Sequence, residues 1–250
     1  MRDNYVGDIG DYVKYGLLRS LSANTGMRLG VVWYLYPDPC KETDGRHLDY
    51  LNTTKEHLYR NCDSQLYDKL RTLIADNDRN VTAVSRRKLL LEDTLFFDAP
   101  LSLSRLPKGT KQAILLREQE RQQWFAKALA VTEAADLIFL DPDNGLEVRS
   151  TAYHQDKGPK FAFYSEVKKF WNRGQSLVIY QHATREGIQQ QIQNRSAELR
   201  KHLKTEAIYA IYLPSYSGRI FFIVPQSKSA TQIQQATYEF IKHWKQVRLA

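Results

Sequence analysis

Between Ala134 and Glu147 the chain reads AADLIFLDPDNGLE, an apolar run that stops abruptly at two carboxylates bracketing a proline. A strand that delivers an acidic residue at its C-terminal tip suits an open α/β sheet, where ligands sit in the crevice outside the strand ends. Asp141 is therefore the first candidate active residue. The competing reading is a plain turn from Asp141 to Gly145, because Asp, Pro, Asn and Gly all favour turns.

The rest of the chain alternates strand and helix signals. Asp11 reads as an N-cap for a helix over Tyr12 to Ser22, whose Val13, Leu17 and Leu21 share one stripe with Leu18 beside it. Leu29 to Tyr36 reads as a buried strand. Residues 41–80 carry a polar loop and then helical periodicity from Ser64 to Asp76, which suggests a helical insertion in one domain spanning 1–250. Val81 to Ser85 and Gln112 to Leu116 read as short strands, and Glu118 to Val131 as a helix leading into the strand that ends at Asp141. Further on come a helix near Phe163 to Trp171, strand Ser176 to Gln181, helix Thr184 to Leu203, strands Ala207 to Leu213 and Arg219 to Val224, and helix Thr231 to Val247. The link Pro214 to Gly218 suits a hairpin, so the last strand is expected to run antiparallel. The expectation is a Rossmann-like α/β fold, a mostly parallel sheet flanked by helices.

Lys and Arg outnumber Asp and Glu by 36 to 28, a net charge of +8, which attracts polyanions such as RNA or DNA. The two cysteines, Cys40 and Cys62, are too few for a disulfide scaffold, and the start MRDNYVGDIG lacks the basic and apolar regions of a leader, so a cytoplasmic setting is expected. No apolar segment approaches the roughly 20 residues that span a bilayer. Cys40, His47, His57 and Cys62 lack the spacing of a zinc site, and no metal is expected.

The element order, with an acidic tip after the fourth strand and a hairpin near the end, resembles the class I S-adenosylmethionine-dependent methyltransferases. Their amine-methylating members carry an Asp/Asn-Pro-Pro-aromatic tip, and Asp141-Pro142-Asp143-Asn144 occupies the corresponding place, matching in its first two residues. Near the N-terminus, Gly7-Asp8-Ile9-Gly10-Asp11-Tyr12-Val13-Lys14-Tyr15 looks like the Gly-x-x-x-Asp-x-x-Lys-His segment of the bacterial large-subunit rRNA adenine methyltransferases. The resemblance implies that Lys14 and Tyr15 lie against S-adenosylmethionine, with Tyr15 standing where the family has His.

These residue types suit amine methylation. The nitrogen lone pair must face the methyl group, so acceptors have to hold the amine hydrogens, and Asp141 with the Pro142 carbonyl supplies two. The proline restricts the backbone of the tip. Asn144 cannot stack on a base as the family's aromatic residue does; Tyr153, Phe161, Phe163 and Tyr164 follow closely, and Tyr164 with Asn144 is a candidate for substrate contact. The first strand runs into Pro37-Asp38-Pro39-Cys40 where a glycine-rich cofactor loop is expected. Asp44-Gly45-Arg46-His47 is a candidate replacement, with Gly45 allowing close approach and Asp38 or Asp44 favouring a cation. The other reading of that segment is a solvated loop. Gln181-His182 closes the next strand, and His182 is either a base near the crevice or a structural hydrogen-bonding residue. Arg195, Arg200, Lys242 and Lys245 mark helix faces that either meet phosphates or are simply solvated.

Two other functions fit parts of the pattern. Asp141-x-Asp143 resembles the strand-end pair of haloacid-dehalogenase-like phosphohydrolases, which use Mg²⁺, although Gly145 stands where Thr is expected. A non-catalytic RNA-binding member of the methyltransferase fold is the other.

Overall fold

The computed structural model describes residues 3–37, 45–214 and 218–249. In chain order the elements are α1 (Ile9–Thr25), β1 (Leu29–Trp33), α2 (Glu56–Tyr59), α3 (Ser64–Ala75), α4 (Val81–Arg86), β2 (Leu95–Phe97), α5 (Lys111–Val131), β3 (Leu137–Asp141), β4 (Gly145–Leu146), β5 (Phe161–Ala162), α6 (Tyr164–Asn172), β6 (Ser176–His182), α7 (Ile188–Leu203), β7 (Tyr209–Leu213), β8 (Arg219–Val224), α8 (Ala230–His243) and β9 (Arg248–Leu249). Among the described residues seven strands form one sheet in the order β2-β1-β3-β6-β8-β7-β9, and β4 pairs with β5 in a separate two-stranded piece. The pairs β2-β1, β1-β3 and β3-β6 are parallel. β8 runs antiparallel between β6 and β7, as a hairpin strand must, and β9 pairs antiparallel with β7. The sheet is therefore mixed, a Rossmann-like α/β arrangement with helices on both faces.

Strand parity decides what each side chain meets, because successive residues point to opposite faces. Leu137 and Phe139 pack with Leu29, Val31 and Trp33 into a core shared with α1, α3, α4 and α8. Ile138 and Leu140 pack with Val32 into a second core shared with α5, α6 and α7. Asp141 has the parity of Phe139. Its carboxylate is thus delivered to the α1 side, at the carboxyl ends of the parallel strands, level with Trp33 of β1.

Helix α1 starts three residues earlier than Asp11 suggests. Asp8 is its N-cap and accepts from the Asp11 amide at 2.9 Å, which leaves the Asp11 side chain inside the first turn. Gly10 and Gly16 in this helix are packing positions. A Cβ on Gly10 would lie 2.0 Å from the Arg219 guanidinium carbon, and one on Gly16 would lie 2.1 Å from the Trp244 indole of the segment closing α8.

Three strand expectations change. Val81 to Ser85 is helical because Asn80 caps α4, accepting from the Ala83 amide, and Gln112 to Leu116 is the first part of α5, capped by Thr110. With these two segments helical and the three-residue β2 added, the acidic tip follows the third strand of the chain. The described part of 41–80 contains 3-10 turns at Asp49–Leu51 and Thr53–Lys55, then α2 and α3. Leu66, Tyr67, Leu70 and Leu73 of α3 pack into the α1 core. Among the described residues no helix is long and apolar enough to cross a membrane.

Candidate active site

The acidic N-terminus of α1 and the tip of β3 meet at the carboxyl end of the sheet. Lys14 Nζ donates to Asp141 Oδ2 at 3.0 Å and to Asp11 Oδ1 at 2.7 Å, bringing together positions 127 residues apart. The other Asp11 oxygen accepts from the Tyr15 hydroxyl at 2.8 Å. One turn back, Asp8 Oδ2 accepts from Arg219 at 2.6 Å. Arg219 opens β8 opposite His182, which closes β6, so both strand ends contribute to the same edge. The N-cap Asp8 and the first-turn Asp11 also match the positive end of the α1 dipole.

All of these charged groups are buried; Lys14 is 4% exposed and Asp141 2%. Aromatic rings surround the ammonium, with centroids 5.7 Å away at Trp33 and 5.6 Å at Tyr180, close enough for cation–π attraction. Burial works against the Lys14 charge, but the pull of Asp11, then of Asp141, outweighs it and holds the ammonium above its ordinary range. Burial raises Asp141; the pull of Lys14 offsets this only in part, and the neighbouring Asp11 carboxylate adds to the rise. Asp8 is raised too, by burial first, against the opposing pull of Arg219. Burial and then Arg219 lower His182, so its imidazole is neutral near neutral pH. Its Nδ1 lies 3.2 Å from the hydroxyl of Tyr180, whose own pKa burial pushes up to about 12.

After Asp141 the chain turns through buried Pro142 into β4. Gln181 holds this segment, its Nε2 donating to the Asn144 carbonyl at 3.0 Å and its Oε1 accepting from the Leu146 amide at 3.0 Å. Gly145, with φ +107°, is required here, since a Cβ would lie 2.3 Å from that same Oε1. The Asn144 amide bonds the Lys160 carbonyl. The turn chemistry of Asp-Pro-Asp-Asn-Gly and the placement of an acid at the tip are therefore both present.

The structure thus gathers Lys14, Tyr15, Asp141, Pro142 and His182 at one edge, with Asn144 on the segment leaving it. Tyr164 is elsewhere: its ring stacks on His202 at 4.0 Å and its hydroxyl bonds Glu198, both on α7, so it serves the α6–α7 contact. Gly45 has φ +65°, and what approaches it closely is the chain itself. A Cβ there would strike the Asn4 carbonyl, and Arg79 donates to the Gly45 carbonyl at 2.7 Å. Asp38 and Asp44, together with Cys40, lie outside the described residues. Among the described residues no group of three or more His, Cys, Asp or Glu side chains is placed to hold a metal ion.

Sequence reasoning missed Asp8, Asp11 and Arg219 as members of this network. The available signal was a lysine among Val13, Leu17 and Leu18: a charge on an apolar helix stripe needs a buried partner.

No protein-family model and no curated protein matches this chain. Among solved structures it is similar to protein LPL1258 from Legionella pneumophila str. Philadelphia 1, of family DUF519, at 11% identity, with 98% of this chain and 96% of that chain covered and a TM-score of 0.44.

Proposed function

We propose that this chain is an S-adenosylmethionine-dependent methyltransferase acting on the amine of a nucleic-acid base. The observation that carries the reading is the 3.0 Å pairing of Lys14 with Asp141. The Gly-Asp-Lys segment and the Asp-Pro tip, the two stretches on which the resemblance rests, come together at the carboxyl edge where α/β sheets take ligands. The antiparallel β8 inserted beside β6 is the hairpin strand expected of that fold.

The donor set fits a cationic cofactor. Asp8, Asp11 and Asp141 bring three carboxylates, with Lys14 and Arg219, to a buried, aromatic-lined edge, and carboxylates attract a cation. Tyr15 and Trp33 supply apolar walls, their rings meeting edge to face. S-adenosylmethionine would bring an activated methyl group with its own leaving group, so the protein needs no nucleophile. The task of the protein is then orientation. Asp141 accepts one amine hydrogen and the Pro142 carbonyl the other, which turns the nitrogen lone pair to a fixed direction. Lys14 fixes the Asp141 carboxylate, while Gln181 fixes the turn that carries Pro142 into β4. His182, neutral at the edge, has Nε2 as the ring nitrogen that Tyr180 does not engage.

The direct test is transfer of radiolabelled methyl from S-adenosylmethionine to ribosomal RNA lacking modifications and to unmodified DNA. The reading expects label in a base-stable product with the wild type and background label with Asp141→Asn. Equal label with both proteins would remove Asp141 from the chemistry.

A further inference from the structure

The methyl-transfer reading makes no use of a cavity of about 590 Å³ that lies between α5, α6 and the segment leaving β4. Its volume is in the range of small-molecule sites, roughly 300–1,000 Å³. It belongs to the opposite side of the tip from Lys14: Phe125 on its wall packs in the α5–α6–α7 core, whereas Trp33 and Phe139 around Lys14 pack in the α1 core.

The back of this cavity is held rigidly. Arg121 is fully buried, its guanidinium 4.5 Å from the centroids of both Tyr153 and Phe163, two rings of the cavity wall. Its Nε and one terminal nitrogen form a two-point pair with Glu166 at 2.8 and 3.0 Å, and the same terminal nitrogen donates to the Phe161 carbonyl. One turn earlier on α5, buried Arg117 donates to the carbonyls of Leu103, Leu106 and His154 and to Asp156. Two buried arginines thus pin the loop that carries Tyr153, so the wall is set before any ligand arrives.

The lining has two chemical ends. Glu118 and Glu147 supply carboxylate acceptors, and the Tyr164 amide holds Glu147 in place at 2.7 Å. Arg149 and Lys169, both exposed, supply positive charge at the rim. Tyr153 supplies an aromatic ring to the wall. A simple anion would meet the two glutamates, and an apolar ligand would leave both charge types unmatched. A group with amine hydrogens, a flat ring and a phosphate satisfies all three features.

The geometry points to a nucleotide subsite in this cavity, taking a nucleotide with an exocyclic amine: its base lies on Tyr153, its amine meets Glu118 or Glu147, and its phosphate meets Arg149 and Lys169. The subsite rests on the proposed methyltransferase activity for its purpose, which is to hold a nucleotide neighbouring the one presented to Asp141. Glu147 is six residues beyond Asp141, so their Cα atoms are at most about 22 Å apart. A single strand can therefore engage both places.

The test titrates the full-length protein with adenosine monophosphate, with uridine monophosphate as the control lacking the amine, and with a fluorescent single-stranded oligoadenylate. S-adenosylmethionine binding is measured on the same samples. We expect adenosine monophosphate to bind more tightly than uridine monophosphate and to compete with the oligonucleotide. Arg149→Glu with Lys169→Glu, both on the surface, should weaken nucleotide binding about tenfold or more and flatten its salt dependence. Tyr153→Ala should also weaken it about tenfold, with Tyr153→Phe restoring it, as stacking requires. Cofactor binding should be unchanged throughout. Binding of the mononucleotide without the oligonucleotide supports the subsite and assigns it to free nucleotides. Nucleotide binding that the charge reversals leave untouched, or none in the wild type, overturns the subsite. Loss of cofactor binding in the wild type with nucleotide binding intact contradicts the methyltransferase reading and leaves the subsite standing.

Discussion

On the α1 face of the sheet Lys14 bridges Asp11 and Asp141 while Arg219 holds Asp8; on the α5 face Arg121 is matched to Glu166 alone. Both networks are buried, and their pairing separates them. The Arg121 guanidinium has a two-point partner, two flanking rings and a backbone carbonyl, and although burial opposes its charge, Glu166 outweighs that and keeps it ionised. The Tyr34 hydroxyl and the Phe163 amide also donate to Glu166, which ties the segment leaving β1, α5 and the start of α6 into one unit. In the first network burial raises two of the carboxylates, Asp8 and Asp141. A one-to-one pair on the α5 face makes a clamp, whereas on the α1 face one ammonium is shared between the carboxylates of Asp11 and Asp141.

The contrast is most easily broken at the clamp. Arg121→Met leaves Glu166 buried with no cation, and the unfolding free energy in urea should fall by about 3–5 kcal/mol. Adding Glu166→Gln should recover much of that loss, since the uncompensated charge is then gone. If the double variant is no more stable than the single one, the cost lies in packing and the clamp account fails.

At the other network the large effect should be on activity. Asp141→Asn keeps the shape and an acceptor for Lys14, so methyl transfer per folded molecule should drop by roughly 10²–10³-fold while the protein stays folded. Loss of folding, seen by circular dichroism, would instead make Asp141 a structural partner like Glu166.

Gly10→Ala and Gly16→Ala sharpen the contrast within α1. Each inserts a methyl group into occupied space and should cost about 1–3 kcal/mol in chemical denaturation. Only Gly10→Ala displaces Arg219 from Asp8, so only this variant should also weaken cofactor binding by the folded protein. Equal binding by the two variants would detach the Asp8–Arg219 pair from the site.

The smallest expected effect is on the pH dependence of stability. Burial raises the Asp141 carboxyl above its ordinary 3.8, so the stability it contributes is full below that value and is lost as pH climbs through the raised one. The melting temperature of Asp141→Asn minus that of the wild type should therefore become more positive as pH rises from below 3.8 toward neutrality. A difference that stays flat would mean the carboxyl is fully compensated in the fold.

The two networks also differ in how far the sequence announces them. Asp141 is legible because an apolar run ends in an acid, and Lys14 because it breaks an apolar helix stripe. Arg121 and Glu166 are not, since they lie 45 residues apart and each reads as an ordinary solvated charge until α5 and α6 are packed on the sheet. Arg219 is hidden in the same way, as the polar end of a hairpin strand. β2 escaped because three residues carry too little periodicity, and α4 because its β-branched residues favour a strand while the Asn80 cap decides for a helix. Tyr164 lies near the tip in sequence, but as the first residue of α6 its ring turns to His202 on α7.

Calorimetric titration of S-adenosylmethionine and S-adenosylhomocysteine into the wild type and Asp141→Asn tests the central claim most directly. The account predicts micromolar binding of both compounds to the wild type, tighter for the cationic one, and a clear loss of that preference in Asp141→Asn. Folded wild-type protein that binds neither compound would contradict it.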